Sequence, residues 1–208
     1  KIRLSPLYER LKTRGAIYGS KNGWERPLWF APEGVAQVDQ LGFTDPGWRD
    51  FAAAEHHAVR NAVGLADQSS FSKFELVGPG ALAAIQYLAV SNMDKPSGSV
   101  IYTQFCNRRG GIEADVTITR LGEQHFYIVT GAGFGVHDSD WIRRNLPADG
   151  SAVLLEVTSA RAVVNVCGPK ARTLLERVSE DDFSATGFPF ATAREVLLGA
   201  APVRAIRI

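Results

Sequence analysis

The chain has 208 residues, a formal net charge of +1, 45% apolar and 22% charged residues. That composition describes a folded chain with an ordinary core and excludes disorder. The near-neutral charge gives no electrostatic case for nucleic acid or an anionic membrane as a partner. No run approaches the roughly 18 apolar residues of a membrane-spanning helix, and the N-terminus has no signal-peptide hydrophobic region. The first residue is Lys rather than Met, which suggests a piece of a longer chain. Cys106 and Cys167 lie in apolar runs without metal-ligand or Cys-x-x-Cys spacing. They read as buried free thiols of a reducing compartment, cytoplasm or mitochondrial matrix.

Residues 1–47 read as an irregular, aromatic-rich arm. Pro6 to Leu11 is expected to form a short helical turn. Ala16 to Phe30 is expected to be a loop, with Gly19, Gly23 and Pro27 as breakers. Trp24, Trp29 and Phe30 require burial, on the domain that follows or on a partner domain. Asp45-Pro46 is a helix-opening pair, with Asp as N-cap and Pro at the first helical position. Phe51, Ala54, Ala58 and Ala62 then share a stripe at helical spacing, and Gly64 closes the helix. His56 and His57 in this helix lack a second ligand at metal spacing.

Leu65 to Ser70 reads as a short strand and turn, and Phe71 to Val77 as a strand. An internal repeat follows. Phe74 to Leu88 is strand, Gly78-Pro79 turn and helix, and Val164 to Val178 repeats this grammar around Gly168-Pro169. Glycine before a proline in the first helical turn gives a sharp strand-to-helix reversal. The pair reads as two related βαβ-type units on antiparallel sheets, an α+β arrangement.

Between the repeats lies a hairpin. Ser99 to Cys106 is β-branched and aromatic, and Asn107, Gly110 and Gly111 supply a turn. Beyond it, Ile112, Ala114, Val116 and Ile118 face one way and Glu113, Asp115, Thr117 and Thr119 the other. Asp115 is a poor intrinsic choice in mid-strand. Its carboxylate is either solvated on an open face or held for chemistry. His125 to Thr130 is another strand, Gly131 to Gly135 a glycine-rich turn, and about Val136 to Leu146 a helix. Val153 to Thr158 and Ala162 to Cys167 read as a pair of strands. Gly187 to Phe190 is a loop before strands at Arg194 to Leu198 and Pro202 to Ile208, the last without a partner.

The usual catalytic signatures are missing. Gly131, Gly133 and Gly135 have the wrong offset for the dinucleotide-binding Gly-x-Gly-x-x-Gly, which leaves close backbone approach or a tight turn as their use. Ser69-Ser70 has no nucleophile elbow, and His125 and His137 stand in no carboxylate or cysteine constellation.

The segment Gly110-Gly111-Ile112-Glu113-Ala114-Asp115-Val116 resembles the Gly-Gly-Ile-x-x-Asp motif of the folate-dependent aminomethyltransferases, the glycine-cleavage T-protein family. With Thr117 it is most similar to the folate-binding portions of dimethylglycine and sarcosine dehydrogenases. The stretch from Tyr18-Gly19 to Trp24-Glu25-Arg26-Pro27 resembles the connection between the flavin and folate parts of those proteins. The resemblance implies a T-protein-like domain, a three-part cloverleaf of which this chain supplies the first part and some of the second. Residues 1–47 would be a connecting arm, 48–150 the first folate-binding subdomain, and 151–208 the start of a second.

The resemblance also implies a site. Asp115 takes the position of an aspartate beside the folate that assists one-carbon transfer. Phe71, in Asp67-Gln68-Ser69-Ser70-Phe71, takes a position bordering the pterin, where it would stack on a flat ring or serve as ordinary core. Tyr102 resembles a further lining aromatic. Gly131 stands where T-proteins carry an asparagine near the folate. Asp67 is expected to cap or bridge, and Ser69 to bond locally. The implied cofactor is tetrahydrofolate, with FAD confined to a flavin oxidoreductase domain outside this chain. The implied activity is capture of a one-carbon unit from an N-methyl amine as methylenetetrahydrofolate. The alternatives are a regulatory or scaffold module of the same fold and a demethylase of another methylated donor. The family's pterin-binding glutamate motif would fall beyond Ile208.

Overall fold

The computed structural model describes residues 2–44 and 46–208. In chain order it contains helix α1 (Tyr8–Lys12), strands β1 (Ala16–Lys21) and β2 (Trp24–Phe30), helix α2 (Arg49–Asn61), and strands β3 (Gly64–Asp67) and β4 (Ser72–Val77). Helix α3 (Ala81–Leu88), strands β5 (Val100–Cys106), β6 (Ile112–Gly122) and β7 (His125–Thr130), helix α4 (Gly135–Arg144) and strand β8 (Val153–Glu156) follow. Strand β9 (Val164–Cys167), helix α5 (Ala171–Glu176) and strands β10 (Thr192–Leu198) and β11 (Ala201–Arg207) complete it. Every strand ladder is antiparallel, so the chain is α+β as expected.

The chain forms two compact units. One gathers the residues up to Ser70 with Ala162–Leu174, the other Phe71–Arg161 with Leu175–Ile208. These cuts differ from the expected boundaries at 47 and 150. The cause is pairing: Val153 to Thr158 and Ala162 to Cys167 do not form the expected strand pair. Instead β8 joins β4 and β9 joins β3.

In the first unit, β1 and β2 form a hairpin where a loop was expected. Asn22 and Gly23 have φ of 53° and 77°, which is the conformation of a two-residue hairpin turn. Trp24 and Trp29 are buried, and Trp29 stacks on Phe51 of α2 with ring centroids 5.4 Å apart. The α2 stripe is only partly used, because Ala54 and Ala58 are exposed. The expected cap Asp45 lies outside the described residues. Gly64 opens β3 rather than capping α2, and a Cβ there would lie 2.4 Å from Val59.

The second unit is built on a five-stranded sheet in the order β5-β6-β7-β4-β8. One face carries Phe74, Leu76, Ala114, Val116, Ile118, Phe126 and Ile128 against Ala81, Ile85 and Leu88 of α3 and Ile142 of α4. Each large apolar side chain sequestered here contributes about 1.5–3 kcal/mol relative to exposure. The expected alternation of β6 holds except at Ile112, which is 69% exposed, beside an irregularity in the β5–β6 register. Strand β11, expected to lack a partner, pairs along its length with β10.

The repeat survives into atomic detail. Gly78 and Gly168 have φ of 117° and 118°. Ala81 donates to the Gly78 carbonyl, and Ala171 to that of Gly168. Gly80 N–H meets the Ser151 carbonyl at 2.8 Å, and the equivalent Lys170 N–H meets that of Ala62 at 2.8 Å.

Candidate functional site

The side chains of β6 alternate between the helix-covered face and the opposite face of the sheet. Asp115 is on the opposite face and exposed. On β5 it is paired with Gln104, while Tyr102 is paired with Thr117. Thr117 pairs onward with Val129, and Val129 with Lys73. The β6–β7 ladder ends at that Thr117–Val129 pair, two residues short of Asp115 on β6 and of Gly131 beyond β7. The β4–β7 ladder ends at the Ser72–Thr130 pair, next to Phe71 and Gly131 in the chain. Gln104 and Asp115 are thus a cross-strand pair with Tyr102 two residues along β5, while Phe71 and Gly131 lie just outside the ends of β4 and β7.

The Tyr102 hydroxyl donates a short hydrogen bond to Oδ2 of Asp115. This is a diagonal contact between neighbouring strands, within reach of a long side chain. The bond holds the phenol in its neutral form and raises the Tyr102 pKa above its ordinary value, while Gln104 acts in the opposite direction. Tyr102 is 63% exposed, so the pair is open to solvent. Phe71 and Gly131 are half-buried. A Cβ on Gly131 would lie 3.2 Å from the Phe134 ring. Gly135 is the tighter position: a Cβ there would lie 2.1 Å from Ser72 Oγ. The glycine-rich stretch therefore lets the start of α4 lie on β4, the tight-turn use expected of it.

The rest of this face is polar and partly covered. Lys73 is fully buried, with Nζ donating to the Arg161 carbonyl at 2.8 Å. Tyr127 lies under the Arg204 guanidinium, 5.1 Å from the ring centroid, and burial pushes its pKa up to about 12. His125 Nε2 is 3.1 Å from Glu75 Oε2.

The structure also supplies a constellation the sequence did not reveal. His137 Nδ1 is 3.0 Å from Asp138 Oδ1, and its Nε2 is 3.6 Å from Glu113 Oε2. Asp138 is buried and accepts from Thr130 Oγ1 at 2.6 Å. Glu113 accepts from Asn107 at 2.8 Å. The hydrogen bond to Asp138, then the charges of Asp138, Glu113 and Asp140, raise the His137 pKa, with desolvation opposing. The expectation that His125 and His137 lack carboxylate partners is thus corrected. The His125–Glu75 and His137–Glu113 partnerships join different elements, and only the fold brings them together. One sequence cue existed, the adjacency of His137 and Asp138.

In the first unit, Asp67 bridges as expected, accepting from Ser69 N–H at 3.0 Å and from the Ser5 hydroxyl. Ser69 Oγ does not bond only locally, because it accepts from Val163 N–H at 3.1 Å. Cys106 and Cys167 are free and half-buried rather than buried. Among the described residues no helix is long and apolar enough to cross a membrane.

Comparison with known proteins gives the family. The model of the GCVT N-terminal domain matches residues 7–208. The chain is 39% identical over 183 residues to the 4-methylaminobutanoate oxidase (formaldehyde-forming) of Paenarthrobacter nicotinovorans, covering 88% of this chain and 22% of that protein. It is 34% identical to the mitochondrial pyruvate dehydrogenase phosphatase regulatory subunit of Mus musculus, covering 95% of this chain and 23% of that one. With the mitochondrial sarcosine dehydrogenase of Homo sapiens it shares 30% identity, covering 100% of this chain and 27% of the relative. The chain therefore spans about a quarter of the length of these relatives. In fold it is similar to the glycine cleavage system aminomethyltransferase T from Bartonella henselae, with a TM-score of 0.74 at 24% identity, over 95% of this chain and 48% of that one. A family match over almost the whole chain, with the antiparallel α+β architecture behind it, makes this chain a member of the GCVT N-terminal domain family, related to sarcosine dehydrogenase and the aminomethyltransferases.

Proposed function

We propose that this chain is the tetrahydrofolate-dependent one-carbon transfer part of a protein resembling dimethylglycine and sarcosine dehydrogenases. It would work with a flavin oxidoreductase domain, carrying FAD outside this chain, that releases a one-carbon unit from an N-methyl amine. The observation that carries the reading is Asp115, held by Tyr102 on an open polar sheet face in a chain of this family.

The residues present suit such a ligand. Asp115 offers an acceptor to N–H groups, Tyr102 and Gln104 add hydroxyl and amide partners, Phe71 offers an apolar ring, and Gly131 leaves room for close approach. When bound, tetrahydrofolate would supply the two amine nitrogens that together take up a one-carbon unit at the formaldehyde level, with loss of water, giving methylenetetrahydrofolate. The role of Asp115 is electrostatic: its carboxylate stabilises positive charge that develops beside it. Tyr102 engages Oδ2 of Asp115, so Oδ1 would be the oxygen offered to the ligand. That bond restrains the Asp115 carboxylate before a ligand binds, which would lower the cost of orienting it.

The test is calorimetric titration of tetrahydrofolate into the intact protein, wild type and Asp115→Asn, with methylenetetrahydrofolate formation measured alongside. Saturable binding is expected in the wild type. Turnover should fall about a hundredfold in the variant, the range of a lost acid–base or charge-stabilising group. Unchanged turnover in the variant would remove Asp115 from the mechanism. A second reading, a regulatory module of the same fold, is favoured by the 34% identity with a regulatory subunit. Failure of the wild type to bind tetrahydrofolate would put that reading first. The choice of methylated donor belongs to the oxidising domain, and 4-methylaminobutanoate, dimethylglycine and sarcosine are the compounds to compare.

A further inference from the structure

A groove of about 580 Å³ opens between the C-terminal end of α3, the β5–β6 turn and α4, away from the Asp115–Tyr102 pair. Its walls include Tyr87, Cys106, Asn107, Arg108, Arg109 and Trp141. The volume lies in the range of small-molecule sites, and the lining combines aromatic rings with cations, which is the usual composition of such sites.

The two arginines are poised on a rigid support. Asn107 Oδ1 accepts from Arg109 N–H at 2.9 Å and from Gly111 N–H at 3.0 Å, and Asn107 N–H donates to the Gly111 carbonyl at 2.8 Å. The turn carrying both guanidiniums is therefore fixed before any ligand arrives. Among the described residues neither guanidinium is paired with a carboxylate. Acids on the flanking elements are engaged elsewhere, Glu113 by Asn107 and His137, Asp115 by Tyr102, and Asp140 by Arg144 at 2.8 Å. Trp141, which lines the groove, has a buried Nε1–H without an acceptor among the described residues. Tyr87 is 66% exposed and lines the groove.

From this we infer that the groove binds a small oxyanion, carboxylate or phosphate, carried on a flat aromatic stem. Arg108 and Arg109 pair with the oxyanion, since guanidinium donors match carboxylate and phosphate geometry. Tyr87 and Trp141 hold the stem. The site is independent of the one-carbon transfer reading and stands or falls without it.

Cys106 gives a local readout, because it lines the groove and is free. The intact protein is alkylated with iodoacetamide, and modification of Cys106 and Cys167 is followed by peptide mass spectrometry during titration with phenyl phosphate, benzoate or neutral benzyl alcohol. Saturating slowing at Cys106 is expected, reaching about tenfold at ten times the dissociation constant by mass action, with Cys167 unaffected and benzyl alcohol inert. Protection by phenyl phosphate alone assigns a phosphate head group, and protection by benzoate alone a carboxylate. The Arg108→Gln/Arg109→Gln variant, compared with its own ligand-free rate, should lose the protection. Absence of protection by both anions, equal slowing at Cys167, or protection that persists in the double variant would overturn the inference.

Discussion

Replacing Gly78 with alanine should be far more damaging than making the same change at Gly110, although both have positive φ, 117° and 80°. A positive φ costs an L-residue at least about 1–2 kcal/mol at either position, and 117° lies further from the left-handed well than 80° does. The surroundings differ. A Cβ on Gly110 meets nothing within 4 Å, whereas one on Gly78 lies 2.4 Å from the Ser151 carbonyl oxygen. That oxygen is backbone and already accepts from Gly80 N–H at 2.8 Å. Moving it aside weakens a hydrogen bond worth about 0.5–1.5 kcal/mol net and adds overpacking strain of about 1–3 kcal/mol. Gly78→Ala should therefore be about 2–4 kcal/mol more destabilising than Gly110→Ala. In urea, with a slope of about 2 kcal/mol per molar, the midpoints should differ by about 1–2 M. Gly168→Ala repeats the test in the other unit, where the clash is with the Ala62 carbonyl at 2.5 Å. Equal midpoints for Gly78→Ala and Gly110→Ala would refute the steric account.

Two predictions concern pH. The folded-state pKa of Tyr127 is about 12 against an ordinary 10.0, so the unfolded chain ionises first as pH rises. Its contribution is complete below pH 10.0 and is lost as pH climbs toward about 12, on the order of 2 kcal/mol; Tyr127→Phe should remove that step from the alkaline stability profile. His137 has a folded-state pKa above 6.5, so its contribution is present below 6.5 and is lost as pH rises through the folded value. The measurement is imidazole titration by NMR, and Glu113→Gln should lower the His137 pKa; an unchanged value would show that the 3.6 Å contact carries no charge coupling.

What was legible in the sequence was local. The β5–β6 turn has Asn107, Gly110 and Gly111 at its corner, and β6 alternates strictly through Ala114, Val116 and Ile118, so both were readable. So was the repeat, because a strand, a Gly-Pro reversal and a helix are encoded within fifteen residues. The β1–β2 hairpin was readable too but was obscured: Asn22-Gly23 is a strong turn signal, yet Gly19 and Pro27 argued for a loop. Pro27 is tolerated in this two-stranded sheet, beside a register shift. Partner choice was not readable. Neighbouring strands β8 and β9 look like a pair, and only tertiary packing sends one to β4 and the other to β3. The site divides in the same way. Asp115 stood out as an acid in a strand, and its motif gave it a family role. The Tyr102 hydroxyl bond and the Glu113–His137–Asp138 cluster depend on register and on where α4 begins, which no local pattern specifies.

The pairing of β3 with β9 also governs the order in which the chain can fold. Gly64–Asp67 must wait for Val164–Cys167, and everything from Ser72 to Glu156 is made between them. The β5–β6–β7 meander joins strands adjacent in sequence and has the lowest loop-closure cost, so it is the natural place for structure to begin during synthesis. β4, made earlier, must then insert between β7 and β8, and β3 can close only after that inner sheet has emerged. β3 is thus the strand that waits longest for its partner. Mutations that slow the meander will be felt as exposure of β3, in a unit that contains none of the mutated residues.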